Sequence, residues 1–131
     1  ADLLKGAGLM AEEIIGKLDS LVDQRVNKDS IDCNTESWPA VDSLSKDYKA
    51  NIRLIRLASA NLSELEYQLL EAYQYNLENS LALTTSVQKL DERSVLYTSP
   101  LAAGDWGHCP DSKGPRIWSL KISIKEIISR L

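Results

Sequence analysis

Histidine occurs once in this chain, at His108, and its neighbour is one of only two cysteines, Cys109; the other is Cys33. A cysteine nucleophile needs a base whose side chain converges on the sulfur, whereas adjacent residues in an extended segment point apart. A zinc site from Cys33, His108 and Cys109 lacks the short paired spacings of such ligands. No Glu-x-x-His element of a di-metal bundle is present, and no glycine-rich phosphate loop follows a strand-like run. The expectation is a protein that is not an enzyme and carries no metal or cofactor. Cys33 and Cys109 lie beside turn residues, and an even count there reads as one disulfide formed in an oxidising compartment. It closes a loop of roughly 75 residues, for which chain entropy gives about 4 kcal/mol. Two reduced thiols in a cytosolic protein are the alternative. Asn61-Leu62-Ser63 is an N-glycosylation sequon.

The other candidate chemistry is recognition. If residues 115–131 form a helix, Ile117, Leu120, Ile124, Ile127 and Leu131 make its buried seam. At about 100° per residue, Trp118 and Ile122 fall roughly opposite that seam, on one strip with Lys125. A large aromatic and an isoleucine on a wet face mark an interface; a loop over 96–114 covering them is the alternative. Trp118, Lys121, Ile122 and Lys125 are the expected receptor-binding patch. A second lies on the polar face of the first helix at Glu12, Glu13, Asp19 and Asp23.

These residues need rigid elements to hold them. From Ala40 to Ser99 there is neither glycine nor proline, and apolar residues recur every three or four positions, which predicts helix. A first helix is expected over about Asp2–Val26, where Leu3, Ala7, Met10, Ile14, Leu18 and Leu21 share a face. A second starts near Trp38-Pro39, with Ser37 as its cap and Val41, Leu44, Tyr48, Ile52 and Ile55 as its seam. A tight connection is expected around Ala58–Asn61, where Asn61/Glu64 and Ser63/Glu66 have capping spacing. A third helix spans about Leu62–Arg93, and a fourth Pro115–Leu131. Residues 27–37 and 96–114 are long loops. Long, short and long connections give one all-α domain over 1–131, an up-up-down-down four-helix bundle with two crossover loops, along which Cys33 and Cys109 meet. An uninterrupted second-plus-third helix is the alternative, and implies a domain-swapped dimer where the bundle is a monomer.

Composition sets the remaining bounds. At 131 residues one domain with its own core is expected. A net charge of −4 argues against nucleic acid and acidic membranes as main partners, and no apolar run approaches the ~18 residues of a membrane insertion. Residues 113–131 carry a net of +4, leaving −8 elsewhere; this basic end either pairs within the molecule or binds a partner. The chain opens at Ala1 with no charged-then-apolar leader, which reads as a mature secreted protein or simply a trimmed chain.

The run Arg116-Ile117-Trp118-Ser119-Leu120-Lys121-Ile122 resembles the start of the fourth helix of four-helix-bundle cytokines, most like the ciliary neurotrophic factor and leukaemia inhibitory factor group. Trp38 to Leu57 is similar in kind to their second helix. Where that group has a receptor-binding Phe-x-x-Lys pair, this chain has Lys113 and Arg116, and Trp118 and Lys121 repeat the spacing one turn later. The resemblance implies a secreted, extracellular signalling ligand, a disulfide-bonded glycoprotein that binds and assembles cell-surface receptor ectodomains. A secreted helical carrier or allergen-like bundle with an apolar ligand, and an intracellular coiled-coil scaffold, are the rival expectations.

Overall fold

The computed structural model describes residues 2–26, 35–101 and 115–131. Its elements are α1 (Asp2–Val26), α2 (Pro39–Tyr48), β1 (Ala50–Ile55), α3 (Glu64–Glu78), β2 (Ser86–Lys89), β3 (Ser94–Pro100), β4 (Ile117–Ser123) and α4 (Ile124–Ser129). The four strands form one antiparallel sheet in the order β1-β4-β3-β2. The fold is therefore mixed α and β, not an all-α four-helix bundle.

The helix α1 occupies the span that its apolar period predicts. The other three predicted helices are corrected. The second breaks at Lys49, which adopts a left-handed conformation (φ 51°) as the C-cap of α2; Ile52 and Ile55, placed in a helical seam, are strand residues. Trp38, not Ser37, is the N-cap of α2. The third helix stops at Glu78 and gives way to β2. The fourth is β4 followed by the short α4, so the continuous helix of a coiled-coil scaffold is absent as well. The cause lies in the turns. Left-handed backbone normally calls for glycine, but here Lys49 (φ 51°), Asn61 (φ 60°) and Ser80 (φ 55°) adopt it. The absence of glycine and proline from 40–99 therefore hid two chain reversals, those at Lys49 and Ser80. The tight connection before α3 is real: Asn61 turns the chain, and Ser63 and Glu66 form a reciprocal capping box.

Side-chain alternation gives the sheet two different faces. On the first, Ile52, Leu120 and Tyr97 are aligned across β1, β4 and β3, flanked by Ala50, Ile122 and Val95 on one side and Leu54 and Trp118 on the other. Onto them α1 lays Ala7, Met10, Ala11, Ile14, Leu18 and Val22, and α2 and α4 add Val41, Tyr48 and Ile127 to one buried core. Trp118 packs against Trp38 with ring centroids 5.9 Å apart. On the second face α3 covers one end, where Leu70 and Tyr73 join Ile55 and Ile117 in a smaller cluster.

Candidate functional site

The second face changes character along its length because β1 and β4 place polar residues at alternate positions: Asn51 and Arg53 between Ala50, Ile52 and Leu54, with the cap residue Lys49 just before the strand, and Ser119 and Lys121 between Trp118, Leu120 and Ile122. Beneath the start of α3 lies a satisfied polar hub. Glu66 is only 5% exposed. Its carboxylate accepts two 2.8 Å hydrogen bonds from Arg53 Nη2, one of 2.6 Å from the Ser119 hydroxyl and one of 2.9 Å from the Ser63 backbone N–H. Burial pushes its carboxyl up, but the bonds from Ser119 and Ser63 and the Arg53 charge outweigh that, and the group lies below the ordinary carboxylate range. Arg53 also meets Glu36 at 3.7 Å. Further along, the Tyr73 hydroxyl donates to the Thr84 carbonyl at 2.6 Å and shares a 3.1 Å hydrogen bond with the Thr98 hydroxyl.

Beyond this hub the face is open. A cleft of about 550 Å³ runs between the sheet and the chain entering α3, with buried Leu96 in its floor, Leu62, Leu90, Asn61 and Ser63 at its sides, and Arg53, Asn51 and Lys121 along it. A second hollow of about 530 Å³ continues it and shares Asn51 and Lys121, which are partners across β1 and β4. Lys49, Arg93, Ser94, Ser123 and Asp91 complete the second hollow. Asp91 is already engaged, accepting from the Arg93 backbone N–H and the Ser94 hydroxyl at 2.8 Å each. Those bonds, with a smaller contribution from Lys121, hold its carboxyl below the usual range. The side chains of Lys49, Asn51 and Lys121 make no hydrogen bond or ion pair among the described residues. The groove is thus a row of uncommitted donors over a partly apolar floor, with its carboxylates already engaged by other hydrogen-bond donors.

The expected recognition patch does not hold together. Trp118 is 1% and Ile122 0% exposed; both point into the core on the first face. Lys121 is exposed in the groove on the opposite face, and Lys125 is exposed on α4, bordering a further small hollow with Lys49 and Ser123. The reason is periodicity. Trp118, Leu120 and Ile122 step by two, and what reads as an apolar pair out of phase with a helical seam is the inward side of a strand. With Arg116–Ile122 leading into and forming β4, the cytokine resemblance has no fourth helix to rest on, and the chain is not a four-helix cytokine. Secretion, a disulfide and receptor binding lose the support that the resemblance lent them. Glu12, Glu13, Asp19 and Asp23 are exposed on α1, away from the groove. Glu13 accepts a 2.7 Å hydrogen bond from the Tyr48 hydroxyl, which in turn accepts one of 2.7 Å from Lys17; that bond raises the Lys17 pKa, and the cluster pins α1 to α2. Asn61 is exposed at the edge of the cleft. Cys33, His108 and Cys109 lie outside the described residues.

Lys49, Asn51, Arg53, Arg93 and Ser119 were not singled out by sequence as site residues, and Glu66 was read only as a helix cap. The signal was the strict polar–apolar alternation of residues 49–54 and 118–122, which the longer helical period overshadowed. Among the described residues no three His, Cys, Asp or Glu side chains converge as metal ligands, and no helix is long and apolar enough to cross a membrane. No protein-family model matches the chain, nor does any curated protein or solved structure.

Proposed function

We propose that this domain is a recognition module for a small organic anion, which it binds in the groove on the second face of the sheet and does not transform. The observation that carries the reading is the uncommitted state of Lys49, Asn51 and Lys121 beside Arg93, in a groove whose carboxylates, Glu66 and Asp91, are both already hydrogen-bonded. In a chain of net charge −4, this local excess of cations supports attraction of an anion rather than general stickiness to anionic polymers. The volume falls in the range of small-molecule sites, and the floor at Leu96 supplies the apolar contact such sites use. The lysines are exposed, so affinity should fall steeply with salt as screening shortens their reach.

Titration of the ¹⁵N-labelled protein with acetate, inorganic phosphate and larger carboxylates at low ionic strength tests the reading. Shifts should cluster at Asn51, Leu96 and Lys121. The double variant Lys49→Gln/Lys121→Gln should bind at least tenfold more weakly while keeping its melting temperature. Saturable binding to the double variant with unchanged affinity, or shifts clustered elsewhere, would overturn it.

A further inference from the structure

The two ends of the groove differ in electrostatic character, and this restricts the ligand beyond its being an anion. At one end, Lys49, Arg93 and Lys121 face a single carboxylate, Asp91, which leaves two positive charges uncompensated. At the other end, past the shared Lys121, the cation is Arg53, which is held by Glu66 through two 2.8 Å hydrogen bonds and approached by Glu36 at 3.7 Å. An anionic group placed there meets two carboxylates for one guanidinium, and like charges at such separations repel strongly where water is partly excluded. What that end offers instead is uncharged: the amides of Asn51 and Asn61 and the apolar side chains of Leu62 and Leu96. Asn51, an amide with both donors and an acceptor, sits at the junction of the two hollows with its side chain uncommitted.

We infer that the groove takes a singly charged ligand, its one anionic head at Lys49, Arg93 and Lys121 and its uncharged body, bearing an amide and an apolar side chain, along Asn51, Asn61 and Leu96. This is the chemistry of an N-acylated amino acid. Lys49 caps α2 immediately before β1, and from Ala50 to Arg53 the strand alone rises ~10 Å, which is room for a short body between the head and Arg53. The inference rests on the anion-binding reading above, but its failure is separable from the failure of that reading.

The experiment compares four probes on the wild-type chain by calorimetry and amide shifts at low salt. They are N-acetylleucine, its uncharged amide, isovalerate (the head without the amide) and glutarate (a second anionic group). N-acetylleucine should bind at least tenfold more tightly than each of the others. Asn51→Ala should weaken N-acetylleucine by a larger factor than isovalerate and so remove most of that advantage, and Lys121→Gln should weaken both by a similar factor. Glutarate binding as tightly as N-acetylleucine, or the uncharged amide matching the acid, would overturn the inference and leave anion recognition standing or fallen on its own titration. If none of the three anions binds, both readings fall together.

Discussion

Replacing Glu66 by glutamine tests whether the polar hub beneath α3 holds the second layer to the sheet. The carboxylate is 5% exposed and accepts four hydrogen bonds, two of them from Arg53. A hydrogen bond to a charged group contributes about 1.5–3 kcal/mol net, and breaking a buried ion pair costs about 3–5 kcal/mol. In the variant one carboxylate oxygen becomes an NH₂ facing the donors of Arg53 and Ser119. Arg53 keeps a quarter of its side chain in solvent and retains Glu36 at 3.7 Å, which offsets part of the loss. The expected cost is therefore about 3 kcal/mol, measured as a shift in the urea midpoint at unchanged slope. A pH series adds a second readout. The folded carboxyl lies below its unfolded value, so its contribution is fully present above the unfolded pKa of about 4.3. It is lost as pH falls through the lower, folded pKa. The gap between wild type and Glu66→Gln should stay constant from pH 7 to 5.5 and close below about pH 4. A gap under ~1 kcal/mol at pH 7, or one that does not close on acidification, would refute the assignment.

Trp118→Ala should cost about 3–5 kcal/mol in chemical denaturation because it empties a core site. Trp118→Phe should cost much less, since the buried Nε1 has no hydrogen-bond partner among the described residues. Gly8→Ala and Gly16→Ala, both inside α1 with nothing within 4 Å of the added methyl, should each stabilise by about 0.5–1 kcal/mol in the same assay. Tyr73→Phe should lower stability by about 1–3 kcal/mol, because it leaves the Thr84 carbonyl and the Thr98 hydroxyl without the phenol.

What could be read in advance depended on whether one period dominated a segment. In α1 the apolar residues fit only a helical repeat, and its span is legible. The capping pair Ser63 and Glu66 was legible as well, because it is local chemistry that needs no tertiary partner. Residues 117–127 satisfy two periods at once: Ile117, Leu120, Ile124 and Ile127 step as a helix, while Trp118, Leu120 and Ile122 step as a strand. Sequence alone does not arbitrate, since the decision rests on pairing with β1 and β3, more than sixty residues away in the first case. Punctuation failed for a related reason. Lys49 and Ser80 occupy glycine-like conformations held by the helix ends that precede them, and neither residue type announces a reversal. The groove was invisible because its donors come from β1, β4 and the 90–94 turn, segments brought together only by a sheet that the helical reading did not contain.

The division of β1 and β4 into residues that face α1 and residues that face the groove means that neighbours in sequence answer to separate selective demands. Positions 50, 52, 54, 118, 120 and 122 are locked by interior packing, whereas 49, 51 and 121 are exposed. A library randomised at 51, 93 and 121 should accordingly keep its melting behaviour while its ligand preference drifts. The scaffold can thus be retargeted without being redesigned.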